Sequence, residues 1–174
     1  MKTRHIAFLG LMLAVIFVLS AIESLLLTLP FLPPHTRPGL SNIVVMYCLF
    51  CIGYRQAIGL SAAKSLFVLL TRGPAAGLLS LCGGMLSISV IILLLMLFDG
   101  KGTKGKLSYA VVSVTGAIAH NIGQLAAVMI LLATPMMVYF LPALIISGII
   151  MGLLTGTLLK ILMPALLRVR GRLV

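Results

Sequence analysis

The sequence predicts an all-α integral membrane protein, six transmembrane helices in one bundle with both termini cytoplasmic. Three observations carry this. First, 61% of the 174 residues are hydrophobic and 9% are charged, where a soluble domain has about a quarter charged, and the mean hydropathy is +1.27. Second, the apolar runs contain Gly and Pro and show no strand-like alternation, and a backbone in lipid satisfies its own polar groups most simply as a helix. Third, the basic residues divide unequally between the connectors, as the positive-inside rule requires.

The elements follow in order along one integral membrane domain, residues 1–174. The first span covers about 6–29, and its apolar run exceeds the roughly 7–15 residues of a signal-peptide core, with no clear cleavage site after it. The connector "PFLPPHTRPG" (30–39) breaks it. The second and third spans, about 40–53 and 56–71, each fall short of the roughly 20 apolar residues a crossing needs, so one bent or re-entrant segment is the alternative. "RGP" (72–74) precedes a fourth span at about 75–98, "DGKGTKGK" (99–106) is the most polar loop, and the fifth span covers about 107–133. Pro135 marks the turn into a sixth at about 138–163.

Charge arbitrates the count. With six spans, Lys2, Arg4, Arg55, Lys101, Lys104, Lys106, Arg168, Arg170 and Arg172 share one side, and only Arg37 and Arg72 face the other. Five spans would place the basic tail opposite the basic N-terminus. The net charge of +11 therefore reads as topology and contact with anionic lipid headgroups, not nucleic-acid binding. Cys48 and Cys51 form C-x2-C inside the apolar run "NIVVMYCLFCIG". Zinc needs two further ligands and no second Cys/His pair follows, so they read as small hydrophobes and no cofactor or metal is implied. Catalysis is poorly supported, because the chain has two acids in all, Glu23 and Asp99. No internal repeat is evident.

Polar side chains at membrane depth are expensive, roughly 2.5–3.5 kcal/mol for Lys or Asp at a helix centre, and mark functional sites by default. Glu23, Asn42, Lys64, His120, Asn121 and Gln124 qualify. The topology places all of them at the middle or in the outer half of their spans, so they are expected to converge on one outward cavity, with Arg37 and Arg72 in the outer connectors. His120 and Gln124 share a helix face and Asn121 is turned about 100° away. The alternative is that Asn, Gln and His only tie helices together, and that Glu23 and Lys64 neutralise each other. On the first span Ala7, Gly10, Ala14 and Ala21 make a small-residue stripe, which suits close approach of a helix from a partner or from within the bundle. "CGGMLS" (82–87) and "SGIIMGLLTGTLL" (147–159) look like internal seams, and Ser147, Met151 and Thr155 continue a face at four-residue spacing.

"RPGLSNIV" (37–44), "SLCGGMLS" (80–87), "GAIAHNIGQL" (116–125) and "YFLPALIISGIIMGLLTG" (139–156) resemble the Gx transporter family, whose members are labelled heptaprenyl diphosphate synthase component I. Over about residues 5–160 the chain is similar to substrate-binding S components of energy-coupling factor (ECF) transporters. The resemblance implies a six-helix S-component fold in a bacterial plasma membrane, and a vitamin- or precursor-like small-molecule substrate bound from outside. It implies partners too: a transmembrane coupling protein met by the Ala7/Gly10/Ala14/Ala21 stripe, and two cytoplasmic ATPases. The label offers another reading, a membrane accessory subunit of a polyprenyl diphosphate synthase system. A prenyl synthase itself holds magnesium and diphosphate with acidic clusters, and two acids do not supply them.

Overall fold

The structure, a computed structural model, describes residues 2–26, 39–99 and 108–173. Six α-helices account for nearly all of them: α1 (Lys2–Leu26), α2 (Leu40–Cys51), α3 (Tyr54–Arg72), α4 (Pro74–Asp99), α5 (Tyr109–Leu132) and α6 (Leu141–Leu173). A 3-10 turn, Pro135–Phe140, leads into α6. That turn moves the start of the last helix to Leu141, and α6 runs on past the expected end at 163 into the basic tail, with Pro164 inside it.

Four segments are long and apolar enough to cross a membrane: Ile6–Leu25, Pro74–Phe98, Tyr109–Leu132 and Pro135–Arg168. The two short segments are separate helices, not one bent segment. Ile52 and Gly53 join them, and Gly53 takes φ 150°, a backbone conformation that glycine adopts at little steric expense. At 12 residues and 1.5 Å per residue, α2 is about 18 Å long, well short of a 30 Å hydrocarbon core. Its composition explains how it persists. Eight of its residues, from Ser41 to Leu49, are buried, so α2 is wrapped by protein and is apolar all round beyond its first turn. The polar α3 carries Arg55, Gln56, Lys64 and Arg72.

Contacts fix the direction of each helix. The α2 N-terminus meets Glu23 of α1, whereas Tyr47, near its C-terminus, packs edge-on against Phe8 with centroids 6.5 Å apart. Helix α2 therefore runs antiparallel to α1. Tyr47 also donates its hydroxyl to the Leu166 carbonyl at 3.1 Å, which brings the C-terminal part of α6 to the same end of the bundle as the N-terminal part of α1. Phe17 stacks on Phe67 with centroids 4.4 Å apart, and Arg72 lies beside Ser20, so α3 runs parallel to α1. Ser65 pairs with Ser80 across α3 and α4, and Ser87 donates to the Gly116 carbonyl across α4 and α5.

Glycine lets the last two helices touch backbone to backbone. A Cβ at Gly148, Gly152 or Gly156 would lie 3.2, 2.5 or 2.9 Å from the Cα of Ile118, Val114 or Ala110. This four-residue spacing of small residues is a membrane helix-packing signature, and it makes 147–159 the internal seam expected. The stripe on α1 behaves otherwise. Ala7, Gly10, Ala14 and Ala21 are exposed, and a Cβ at Gly10 would meet nothing within 4 Å. The stripe lies on the outside of the bundle, while Phe8, Met12 and Ile16 turn inward.

Candidate functional site

A polar cavity lies among the helices towards the end of the bundle where Gly39 begins α2 and Gly73 ends α3. Glu23, Asn42, Lys64, Arg72, His120, Asn121 and Gln124 all line it, so seven of the eight predicted site residues reach one space. The eighth, Arg37, lies outside the described residues. The free volume is about 50 Å³. A water needs at least about 10–15 Å³ on this measure, so the space suits about three to five water-sized groups, the scale of one polar head.

Glu23 is set by the start of α2. Gly39 at the N-cap takes φ 67° and offers no side-chain cap; its carbonyl accepts from Asn42 N at 2.9 Å, but Ser41 N has no acceptor within the helix. The Glu23 carboxylate reaches across from α1 and accepts from Ser41 N at 2.9 Å and from Ser41 Oγ at 3.1 Å. A carboxylate at a helix N-terminus is favoured by the aligned peptide dipoles. Glu23 is thus a cap supplied by another helix, which explains a buried acid at 4% exposure.

Lys64 Nζ donates to Asn42 Oδ1 at 2.6 Å. This bond ties α3 to α2 at the cavity wall and aims the ammonium along it. Lys64 is 7% exposed, close to the limit for a charged residue, since such residues are seldom fully buried unless paired. Arg72 donates to the Ser20 carbonyl at 2.5 Å and to Ser24 Oγ, and so clamps the C-terminal turn of α3 onto α1.

The trio on α5 divides by helical phase. Asn121 points at α6, where its Nδ2 donates to the Leu144 carbonyl at 2.8 Å and to Ser147 Oγ at 3.3 Å. It is a tie between helices as well as a lining residue. His120 and Gln124 face α4 instead. A Cβ at Gly83 would sit 2.8 Å from Gln124 Cγ, 2.9 Å from the His120 carbonyl and 3.0 Å from His120 Cε1. Gly83 therefore makes the room these two side chains occupy. Gln124 Nε2 is buried and has no hydrogen-bond partner in the protein.

The sequence reading missed the hydroxyls. Ser20, Ser80, Ser87 and Ser113 also line the cavity. Serine in a membrane helix commonly satisfies itself on nearby backbone, which makes it a weak signal; Ser87 does so across helices, on the Gly116 carbonyl at 2.8 Å. The face Ser147, Met151 and Thr155 does reach the cavity, one residue out of phase with the glycines that touch α5. Chemically the lining is rich in donors and carries positive charge. Among the described residues it contains one carboxylate, which is held by α2, and no pair of acids.

A family model described as heptaprenyl diphosphate synthase component I matches residues 12–162, and the chain belongs to that family. No curated protein and no solved structure matches it.

Proposed function

We propose that this member of the heptaprenyl diphosphate synthase component I family captures a small polar molecule at membrane depth, as the substrate-binding subunit of an ECF-type importer. The observation that supports it is the buried donor of Gln124 in a cavity shared with Lys64 and His120. A buried donor left unsatisfied costs about 1–3 kcal/mol, and an acceptor on a ligand recovers that. In this reading six spans cross a bacterial plasma membrane, both termini are cytoplasmic, and the cavity faces outward. The exposed α1 stripe meets a transmembrane coupling protein that two cytoplasmic ATPases drive. The chain holds substrate and does no chemistry on it.

The family description favours a second reading, a membrane accessory subunit of a heptaprenyl diphosphate synthase system, and it bears on this reading more directly than on the first. One experiment separates them. The tagged full chain is purified in mild detergent from its native cells, and its partners are identified. The importer reading predicts a membrane coupling protein with ATPases, and ATP-dependent uptake that is lost on deletion. Recovery of a soluble prenyl diphosphate synthase subunit, with prenyl diphosphate synthesis lost on deletion, would establish the accessory role instead.

A further inference from the structure

We infer that the group this cavity takes is a small oxyanion, a carboxylate or a phosphate ester, met by the donors of Lys64 and Gln124. The inference rests on the ligand-capture reading above and names the chemical class of the ligand.

The charge of the lining selects an anion. Three charged residues among the described ones line the cavity, Glu23, Lys64 and Arg72; one negative and two positive leave a surplus of one positive charge. No other acid can neutralise it. The chain holds two acids in all, and the second, Asp99, ends α4, whose first residue, Pro74, lies two positions beyond Arg72. Twenty-five steps of 1.5 Å put Asp99 about 38 Å from that end. With two cations to one acid, the surplus positive charge at membrane depth is unfavourable, so an anion entering this space gains more than a neutral molecule of the same shape.

Hydrogen bonding points the same way. Gln124 Nε2 is a buried donor with no acceptor in the protein, and Lys64 can only donate. A carboxylate or phosphate offers acceptors alone. Two adjacent glycines let these groups face one space. A Cβ at Gly84 would lie 2.6 Å from Ser61 Oγ of α3, while one at Gly83 would strike Gln124 and His120 of α5. Helix α4 is thinned at this point, so α3, which carries Lys64, and α5, which carries Gln124, close on the same volume.

The test uses the full chain in lipid nanodiscs and follows thermal unfolding with acetate, inorganic phosphate and neutral acetamide, against sodium chloride at matched ionic strength. Acetate or phosphate is expected to raise the midpoint by about 3–6 °C at ten times its dissociation constant, and whichever saturates at the lower concentration identifies the oxyanion. Lys64→Met is expected to abolish the shift and Lys64→Arg to keep most of it. Should Lys64→Met fail to fold, Gln124→Leu takes its place and is expected to weaken the anion about tenfold. Equal shifts with acetate and acetamide would overturn the anion inference and leave ligand capture standing. No shift with any of the three would overturn both.

Discussion

Replacing Gly83 with alanine adds a single methyl group to α4 at the cavity wall. That carbon would lie 2.8 Å from Gln124 Cγ, 2.9 Å from the His120 carbonyl oxygen and 3.0 Å from His120 Cε1. Ordinary contacts at such a site are about 3.4–4 Å, so about half an ångström of relief is needed. A flexible side chain supplies that cheaply, but one of the three atoms is backbone of α5, and relief there moves a helix. Overpacking of this kind costs about 1–3 kcal/mol, against which alanine recovers up to about 1 kcal/mol of helix propensity. Gly59, on α3, has nothing within 4 Å and collects only the gain. The two variants are therefore expected to differ by about 1–3 kcal/mol in unfolding, with Gly59→Ala at or above wild type. Oxyanion binding followed by thermal shift reads the second effect. It should weaken for Gly83→Ala, because the displaced side chains line the cavity, and stay unchanged for Gly59→Ala. Equal stability and equal binding in the two variants would refute the close approach of α4 to His120 and Gln124.

Other expectations follow from the same geometry. Asn121→Ala removes the tie to Leu144 and Ser147 and should cost about 1 kcal/mol of stability, the scale of membrane hydrogen bonds, while oxyanion affinity changes less than about twofold; a tenfold loss of affinity in a folded variant would make Asn121 a ligand contact. Gly10→Leu on the exposed stripe, with nothing within 4 Å of its Cβ, should leave the isolated chain at or above wild-type stability, by up to about 1 kcal/mol of helix propensity, and should weaken assembly with a coupling protein; an intact complex would remove the stripe from that interface. For orientation, a cysteine at Thr36 should react with an impermeant reagent from outside and one at Thr103 should not, and the reverse result would invert the topology.

Much of this was legible in the sequence, for identifiable reasons. Polar residues inside long apolar runs are costly enough to be informative, so Glu23, Asn42, Lys64, His120 and Gln124 could be gathered into one cavity without coordinates. The seam in 147–159 was legible as a segment, but the four-residue spacing read there was that of Ser147, Met151 and Thr155, and it is Gly148, Gly152 and Gly156, one position further on, that touch α5. Roles were less legible than places. Nothing local shows that Glu23 would cap a helix 18 residues later, because the uncapped start of α2 at Gly39 appears only once the chain is folded. Asn121 sits beside His120 in sequence, yet 100° of helical phase sends its amide to α6. Whether the α1 stripe faced inward or outward depended on which neighbours α1 packs against, and periodicity alone does not contain that. Length alone left α2 ambiguous: its 12 residues fall short of a crossing, and what keeps so short an apolar helix in place is the protein around it, which the sequence does not display.

The central claim, that the cavity holds a small molecule, is tested most directly by extraction. The full chain, expressed in its native cells and purified in nanodiscs, is denatured and the released small molecules are quantified by mass spectrometry, with Gln124→Leu carried through in parallel. The account predicts about one equivalent of a single anionic species from the wild type and, for one lost hydrogen bond of about 1.5 kcal/mol to a charged group, roughly a tenth of the affinity in the variant. No enriched species from the wild type, or equal recovery from a folded variant, would contradict it.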